Sequence, residues 1–116
     1  MIDLALVNEI YLFSGSTDFR LGTHGLTRKI QVAFSANDLN NTLFVFCSKN
    51  KRAIKILEFD STGVWLYHKK LNNTKLIFPK TGGIASICNE DLKIILNGLD
   101  FISKIEGKND VNYKYF

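Results

Sequence analysis

From Glu9 onward the chain is built of short apolar runs separated by polar turns, and the spacing inside each run predicts its element. Ile10, Tyr11, Leu12 and Phe13 end at Ser14, Gly15 and Ser16, which predicts a strand over Glu9 to Ser14 followed by a turn. Leu26, Ile30, Ala33 and Phe34 then recur at helical spacing, predicting a helix from Thr23 to Phe34 with Thr23 as its N-cap. Residues 35–41, with Asn37, Asp38, Asn40 and Asn41, lack periodicity and read as a surface connection. From Thr42 the pattern becomes β-branched or aromatic runs joined by hairpin-length turns: Thr42 to Cys47, Arg52 to Phe59, Val64 to Leu71 and Lys75 to Phe78. In the second run Ala53, Lys55, Leu57 and Phe59 share one side, and Arg52, Ile54, Ile56 and Glu58 the other. Neither side is purely apolar, so the sheet is expected to be covered on both faces over part of its length. Pro79 stops the last run, a loop with Gly82 and Gly83 follows, and a second helix is predicted over Asn89 to Asn97. Leu92, Ile95, Leu96 and Leu99 point inward on that helix, Gly98 terminates it, and Ser86 or Cys88 lies near its cap. The expected fold is α+β, an antiparallel meander of four to five strands with two helices packed on it.

Length keeps this to a single domain over residues 1–116, with a core of about residues 9–101 and a pendant tail over 102–116. An apolar share of 46% and a single proline are those of a packed chain. The longest stretch without a charge, Leu39 to Ser48, is ten residues, about half of what a membrane helix needs. No Lys or Arg precedes Arg20, so a basic leader is absent and a cytoplasmic location without membrane contact is expected. Cys47 and Cys88 are far apart, without a CxxC pairing, and read as two buried, reduced thiols.

Charge changes the picture, because the net +4 is not spread evenly. Residues 1–48 carry a net −1 and residues 81–116 a net −1, whereas residues 49–80 carry eight basic residues against Glu58 and Asp60, a net +6. The same block holds Phe59, Trp65, Tyr67 and Phe78. A basic block interleaved with aromatic residues is the footprint of a nucleic-acid-binding face, with Lys49, Lys51, Arg52, Lys55, Lys69 and Lys70 as the phosphate contacts. The plainer reading is a solvated sheet face with solubilising lysines.

Several blocks in fixed order point to a family. Ile10, Tyr11 and Leu12, followed by Gly15, Thr17, Asp18, Arg20, Gly22, Gly25 and Leu26, resemble the G-x-T-D-x-R-x-G-x-x-G-L block of small TnpB-type accessory proteins. These are encoded by three-frame bacterial insertion sequences beside a separate, larger transposase. Leu43 to Phe46, then Lys51, Arg52, Ile54, Lys55 and Leu57, then Asp60, Gly63, Leu66, Lys69, Leu71, Phe78 and Pro79 are similar to the hairpin signature of that family. Leu92, Ile95, Leu96, Gly98, Leu99, Asp100 and Phe101 resemble its ending. The match spans roughly residues 9–101 and departs at the second helix entry, where Ile87 and Cys88 replace the family's Leu-Thr. The resemblance implies a role supporting transposition, with the transposase as partner and without a chemical activity of its own.

Enzymatic readings find little in the residues. Asp18, Asp60 and Asp100 suggest a metal-binding carboxylate triad, but each has a structural use of its own: Asp60 opens a hairpin turn, Asp100 follows a helix stop, and Asp18 lies beside Arg20. Asp18 and Arg20 are expected to fix the strand-to-helix turn through a side-chain network; the rival is an outward Arg20 that grips a phosphate or a partner carboxylate. Gly15, Ser16 and Thr17 lack phosphate-loop spacing, His24 and His68 are isolated, and neither a catalytic residue, a metal nor a cofactor is implied. Trp65 and Tyr67 share one side of their strand and are expected in the core, with stacking on an unpaired base as the sharper alternative. Two functions remain: an accessory factor that binds DNA with little sequence preference, or an adaptor that docks on the transposase without touching DNA.

Overall fold

The alternating runs read from the sequence meet in one sheet. The computed structural model describes residues 4–34, 39–73, 75, 76, 78, 83–96 and 114–115. After a 3-10 turn at Leu4–Leu6, the elements are β1 (Glu9–Thr17), α1 (Thr23–Ala33), β2 (Thr42–Ser48), β3 (Ala53–Phe59), β4 (Val64–Lys70), β5 (Ile84–Ser86), α2 (Asn89–Leu96) and β6 (Lys114–Tyr115). The sheet order is β4-β3-β2-β1-β5-β6. Strands β2, β3 and β4 form the expected antiparallel meander, with Val45 opposite Ile56 and Ile56 opposite Tyr67. The fold is α+β, with a mostly antiparallel sheet and two helices.

One joint is parallel. Glu9 pairs with Thr42 and Leu12 with Val45 in the same direction, because α1 carries the chain back across the sheet before β2 begins. The register shifts between Leu12 and Ser16, where Gly15 takes a left-handed φ of 80°. The predicted turn at Ser14 to Ser16 is therefore a bulge inside a longer strand, which resumes at Ser16 and Thr17 opposite Cys47 and Ser48.

Strand β2 is buried along its whole length, so its two faces feed two cores. Phe44 and Phe46 join Phe13, Leu57 and the Leu26, Ile30 and Phe34 side chains at and just beyond α1. Leu43, Val45 and Cys47 join Ile54, Ile56 and the Leu92, Ile94 and Ile95 face of α2. Both faces are covered, as the mixed alternation of β3 suggests.

Several expectations need correction. Lys75 to Phe78 is not a strand at its described positions: the Leu76 N–H donates to the Lys51 carbonyl at 2.7 Å, and Leu76 and Phe78 sink into the α2-side core without a ladder. The antiparallel partner of β1 on that side is β5, with Leu12 opposite Ala85, and β6 pairs outside β5, so part of the supposed pendant tail lies in the sheet. The N-cap of α1 is Gly22, without a side-chain cap; Thr23 is already helical, accepting at its carbonyl from Thr27 Oγ1. Ala33 on that helix is exposed. At α2, Cys88 caps as expected: its carbonyl accepts from the Leu92 N–H, while the Asp91 carboxylate reaches back to the Cys88 N–H and thiol. Cys88 is consequently exposed, and only Cys47 fits the buried-thiol reading. Leu99, Gly98 and Asp100 lie outside the described residues.

Candidate nucleic-acid interface

The hairpin registers bring distant basic residues to one end of the sheet. Because β2, β3 and β4 are equal in length, the β2–β3 turn from Lys49 to Arg52 comes level with the end of β4, where Lys70 faces Ala53 and Lys69 faces Ile54. The following segment returns to the same place through the Leu71 and Leu76 amides, which donate to the Arg52 and Lys51 carbonyls. Lys49, Arg52, Lys69, Lys70 and Lys75 are exposed there, and Lys51 is half-buried. The turn itself is tightly made. Ser48 Oγ donates to Asn50 Oδ1 at 2.8 Å and accepts from the Ala53 N–H at 3.0 Å. Asn50 Oδ1 also takes the Arg52 N–H, and Lys51 sits at a left-handed φ of 62°.

The other end of the sheet is acidic. It carries Glu9, Glu58 and Asp60 around the start of β1 and the β3–β4 turn. Asp60 closes that turn, accepting at Oδ1 from the Thr62 N–H, the Thr62 hydroxyl and the Gly63 N–H. Its Oδ2 accepts from Trp65 Nε1 at 3.1 Å. Trp65 is 59% exposed, contrary to the core position expected of it, because it stands on an outer strand and its indole N–H needs a polar partner. Tyr67 does pack on the α2-side core, with its hydroxyl on Glu58 Oε1; desolvation, then that carboxylate, pushes the phenol up to about 12. The tryptophan and the lysines, interleaved in sequence, are thus at opposite ends of the meander.

Parallel pairing of β1 and β2 places the Asp18 turn beside the basic end, since Thr17 lies opposite Ser48. Asp18 Oδ1 accepts from the Arg20 N–H at 2.9 Å, and both carboxylate oxygens take the Arg20 guanidinium through Nε and Nη2, the shortest contact being 2.8 Å. The network expected of these two residues is present, yet the Arg20 side chain remains 91% exposed. A cleft of about 940 Å³ lies between the two turns, lined by Ser16 to Arg20 and Ser48 to Asn50. A smaller cavity of about 220 Å³ beside it is lined by Gly15, Cys47, Lys51 and Phe78 among others.

The hydrogen bonds from Arg20 hold the Asp18 carboxyl down at about 2, below its ordinary 3.8. A carboxyl depressed on folding contributes stability above pH 3.8 that is lost as pH falls toward 2. A carboxyl-detected NMR titration should find the Asp18 midpoint near 2, and Arg20→Gln should return it to the ordinary range; an unchanged midpoint in the variant would remove Arg20 as the cause.

Lys55 does not belong to the basic end as a phosphate contact. It is 6% exposed, and its Nζ donates to the Phe19 carbonyl at 2.9 Å and the Leu21 carbonyl at 3.1 Å. The ammonium also lies 4.9 Å from the Phe19 ring centre. Lys55 therefore fastens the Asp18–Arg20 turn to the sheet. The signal was its register with Ala53 and Leu57 on a buried face.

The enzymatic candidates stay apart. Asp18 and Asp60 sit at opposite ends of the sheet, so no carboxylate triad forms from them. His68 touches Phe19 edge-on, far along the chain from His24 in α1. Burial pushes the Cys47 thiol up to about 11, opposed by the nearby Lys51 charge, which keeps it protonated and a poor nucleophile.

A family model described as IS66 Orf2 like protein matches residues 8–105. The chain belongs to that family. IS66 Orf2-like proteins are accessory proteins associated with transposition of insertion sequences, and the family is not known for catalysis. The match takes in the Asp18 turn, the whole meander and α2. Two relatives from Sinorhizobium fredii (strain NBRC 101917 / NGR234), each described as uncharacterized, are similar over 94 residues. One, y4hO, is 29% identical, covering 80% of this chain and 82% of its own length. The other, y4jC, is 31% identical, covering 80% of each. No solved structure matches. No helix among the described residues is long and apolar enough to cross a membrane.

Proposed function

We propose that this IS66 Orf2-like protein supports transposition by binding DNA, in the cytoplasm, through the basic end of its sheet. The observation that carries this reading is the convergence of Lys49, Lys51, Arg52, Lys69 and Lys70 on one end. Glu9, Glu58 and Asp60 stand at the other end, and Asp18, beside the basic end, is taken up by Arg20, so the sheet has a charge direction that the modest net charge hides. Lysines on hairpin turns and strand ends meet phosphates without reading base edges, which gives affinity with little sequence preference. Arg20 adds a different contact. Asp18 holds its Nε and Nη2, leaving the outer edge of the guanidinium, in solvent, for a bidentate hold on a phosphate across the cleft from Lys49.

The test is binding of labelled double-stranded DNA, with and without insertion-sequence ends, across a salt series. Affinity should fall steeply with salt. The Lys49→Gln, Lys51→Gln, Arg52→Gln triple variant should bind roughly tenfold to a hundredfold more weakly and lower the salt slope by about 3. Binding unaffected by the triple variant would move the DNA contact elsewhere on the molecule. No binding at low salt would overturn the reading in favour of an adaptor that presents the same end to an acidic surface of the transposase.

A further inference from the structure

Strand β4 is the outermost strand on its side of the sheet and pairs only with β3 among the described residues. The phase of its backbone can be read from the ends of that ladder. The Leu71 N–H donates to the Arg52 carbonyl, and the Asp60 N–H to the Gly63 carbonyl. Stepping by two in the same register, Ile54–Lys69, Ile56–Tyr67 and Glu58–Trp65 are the hydrogen-bonded pairs. The amides and carbonyls of Val64, Leu66, His68 and Lys70 therefore face away from the sheet. Such an edge is commonly blunted by a proline, a bulge or a charge. The stretch Val64 to Tyr67 has none of these and exposes two adjacent large apolar side chains, Trp65 and Leu66, one on each face.

We infer that this edge pairs antiparallel with β4 of a second copy of the chain, about a two-fold axis at Tyr67. Charge selects that occupant and direction. Each β4 is basic at its far end, in Lys69 and Lys70, whereas Trp65 at its near end sits opposite Glu58 and donates to Asp60. Parallel pairing would set the lysines of the two copies side by side. Antiparallel pairing with all seven residues overlapped sets Val64 opposite Lys70 of the second copy and Leu66 opposite His68 of the second copy. Those are the outward-facing positions, so every free amide on the edge finds a carbonyl. Trp65 then lies opposite Lys69 of the second copy at a non-hydrogen-bonded position, where side chains approach closest. There the ammonium meets the indole face and, beyond it, Glu58. The bond to Asp60 already fixes the indole for that contact. The same residues serve both copies, as a closed two-fold interface requires. Each basic end points away from the other and keeps Lys49, Lys51 and Arg52 clear of the seam, an arrangement for two DNA segments that depends on the function proposed above, whereas the dimer does not.

Sedimentation velocity over a concentration series tests this, with emission from the single tryptophan as a second readout. The wild-type chain should dimerise, and its emission should shift to the blue as Trp65 is covered. Leu66→Pro removes an outward N–H without touching the β3–β4 ladder and should weaken association by at least about tenfold. Trp65→Lys should weaken it through like-charge contact with Lys69 of the second copy, and adding Lys69→Glu should restore it. If circular dichroism shows Leu66→Pro unfolded, the charge pair decides. A monomer throughout the series would overturn the inference, as would a dimer that neither the proline nor the charge variants disturb.

Discussion

Phe44→Ala should lower the unfolding free energy by about 3–5 kcal/mol, the cost of emptying a large aromatic from a core that cannot close over the gap. Phe44 is fully buried at the middle of β2. Its ring is stacked at 5.7 Å on Tyr11 and met edge-on by Phe34 at 5.4 Å and Phe59 at 5.7 Å. These rings come from β1, from β3 and from the end of α1, so one truncation loosens the sheet and the helix that closes the parallel joint. The loss is a large share of the roughly 5–15 kcal/mol typical of a domain. Urea unfolding followed by circular dichroism measures it, and Trp65→Ala is the control. Despite the larger ring, Trp65, exposed in the single chain, should cost under about 1 kcal/mol when unfolding is followed at a concentration too low for the β4 edges to pair. Equal losses at the two sites would mean that the aromatic core is not where the folded chain places it.

The elements that were legible are those whose signal is local. Period-two alternation with Asp60 to Gly63 or Ser48 to Asn50 between runs specifies a hairpin, because the turn residues and the two faces agree. Helical spacing specified α1 for the same reason. Pairing between distant runs leaves no periodic trace. Alternation tells which way Leu12 points but not that it lies beside both Val45 and Ala85. The strand–helix–strand order over residues 9–48 was the available clue to the parallel joint, since a helical crossover returns the chain in the same direction. Leu76 and Phe78 alternate like a strand and are buried like one, yet the Leu76 amide is spent on the Lys51 carbonyl of the turn.

For the candidate site, charge count along the chain found the basic block, and folding sharpened it by gathering the lysines and sending Trp65 to the acidic end. Composition fails where a side chain's surroundings decide its role. A lysine counts as surface charge until its neighbours on the same face, Ala53 and Leu57, prove to be buried. A tryptophan counts as core until its strand proves to be the outermost one. Alternation along β3 hints at the first fact, and only the strand order supplies the second.

Lys55 is where these two kinds of reading make opposite forecasts. Lys55→Met keeps most of the side-chain volume but removes the donor from the Phe19 and Leu21 carbonyls, which were ordered around it. Hydrogen bonds from a charged group contribute about 1.5–3 kcal/mol each, while removal of the buried ammonium relieves its desolvation. The net expectation is a loss of about 2–3 kcal/mol, read by urea unfolding. Lys55→Arg should not rescue it, because a longer side chain ending in a broad planar fork does not fit the place of a compact ammonium that serves two carbonyls and one ring face. Arg20 should lose its fixed presentation with the turn, so that any fall in DNA affinity accompanies a fall in stability and is matched by Arg20→Gln, which gives up only the Asp18 pair and leaves the buried Lys55 contacts in place. A Lys55→Met chain of wild-type stability with weakened DNA binding would instead return Lys55 to the phosphate-contacting set.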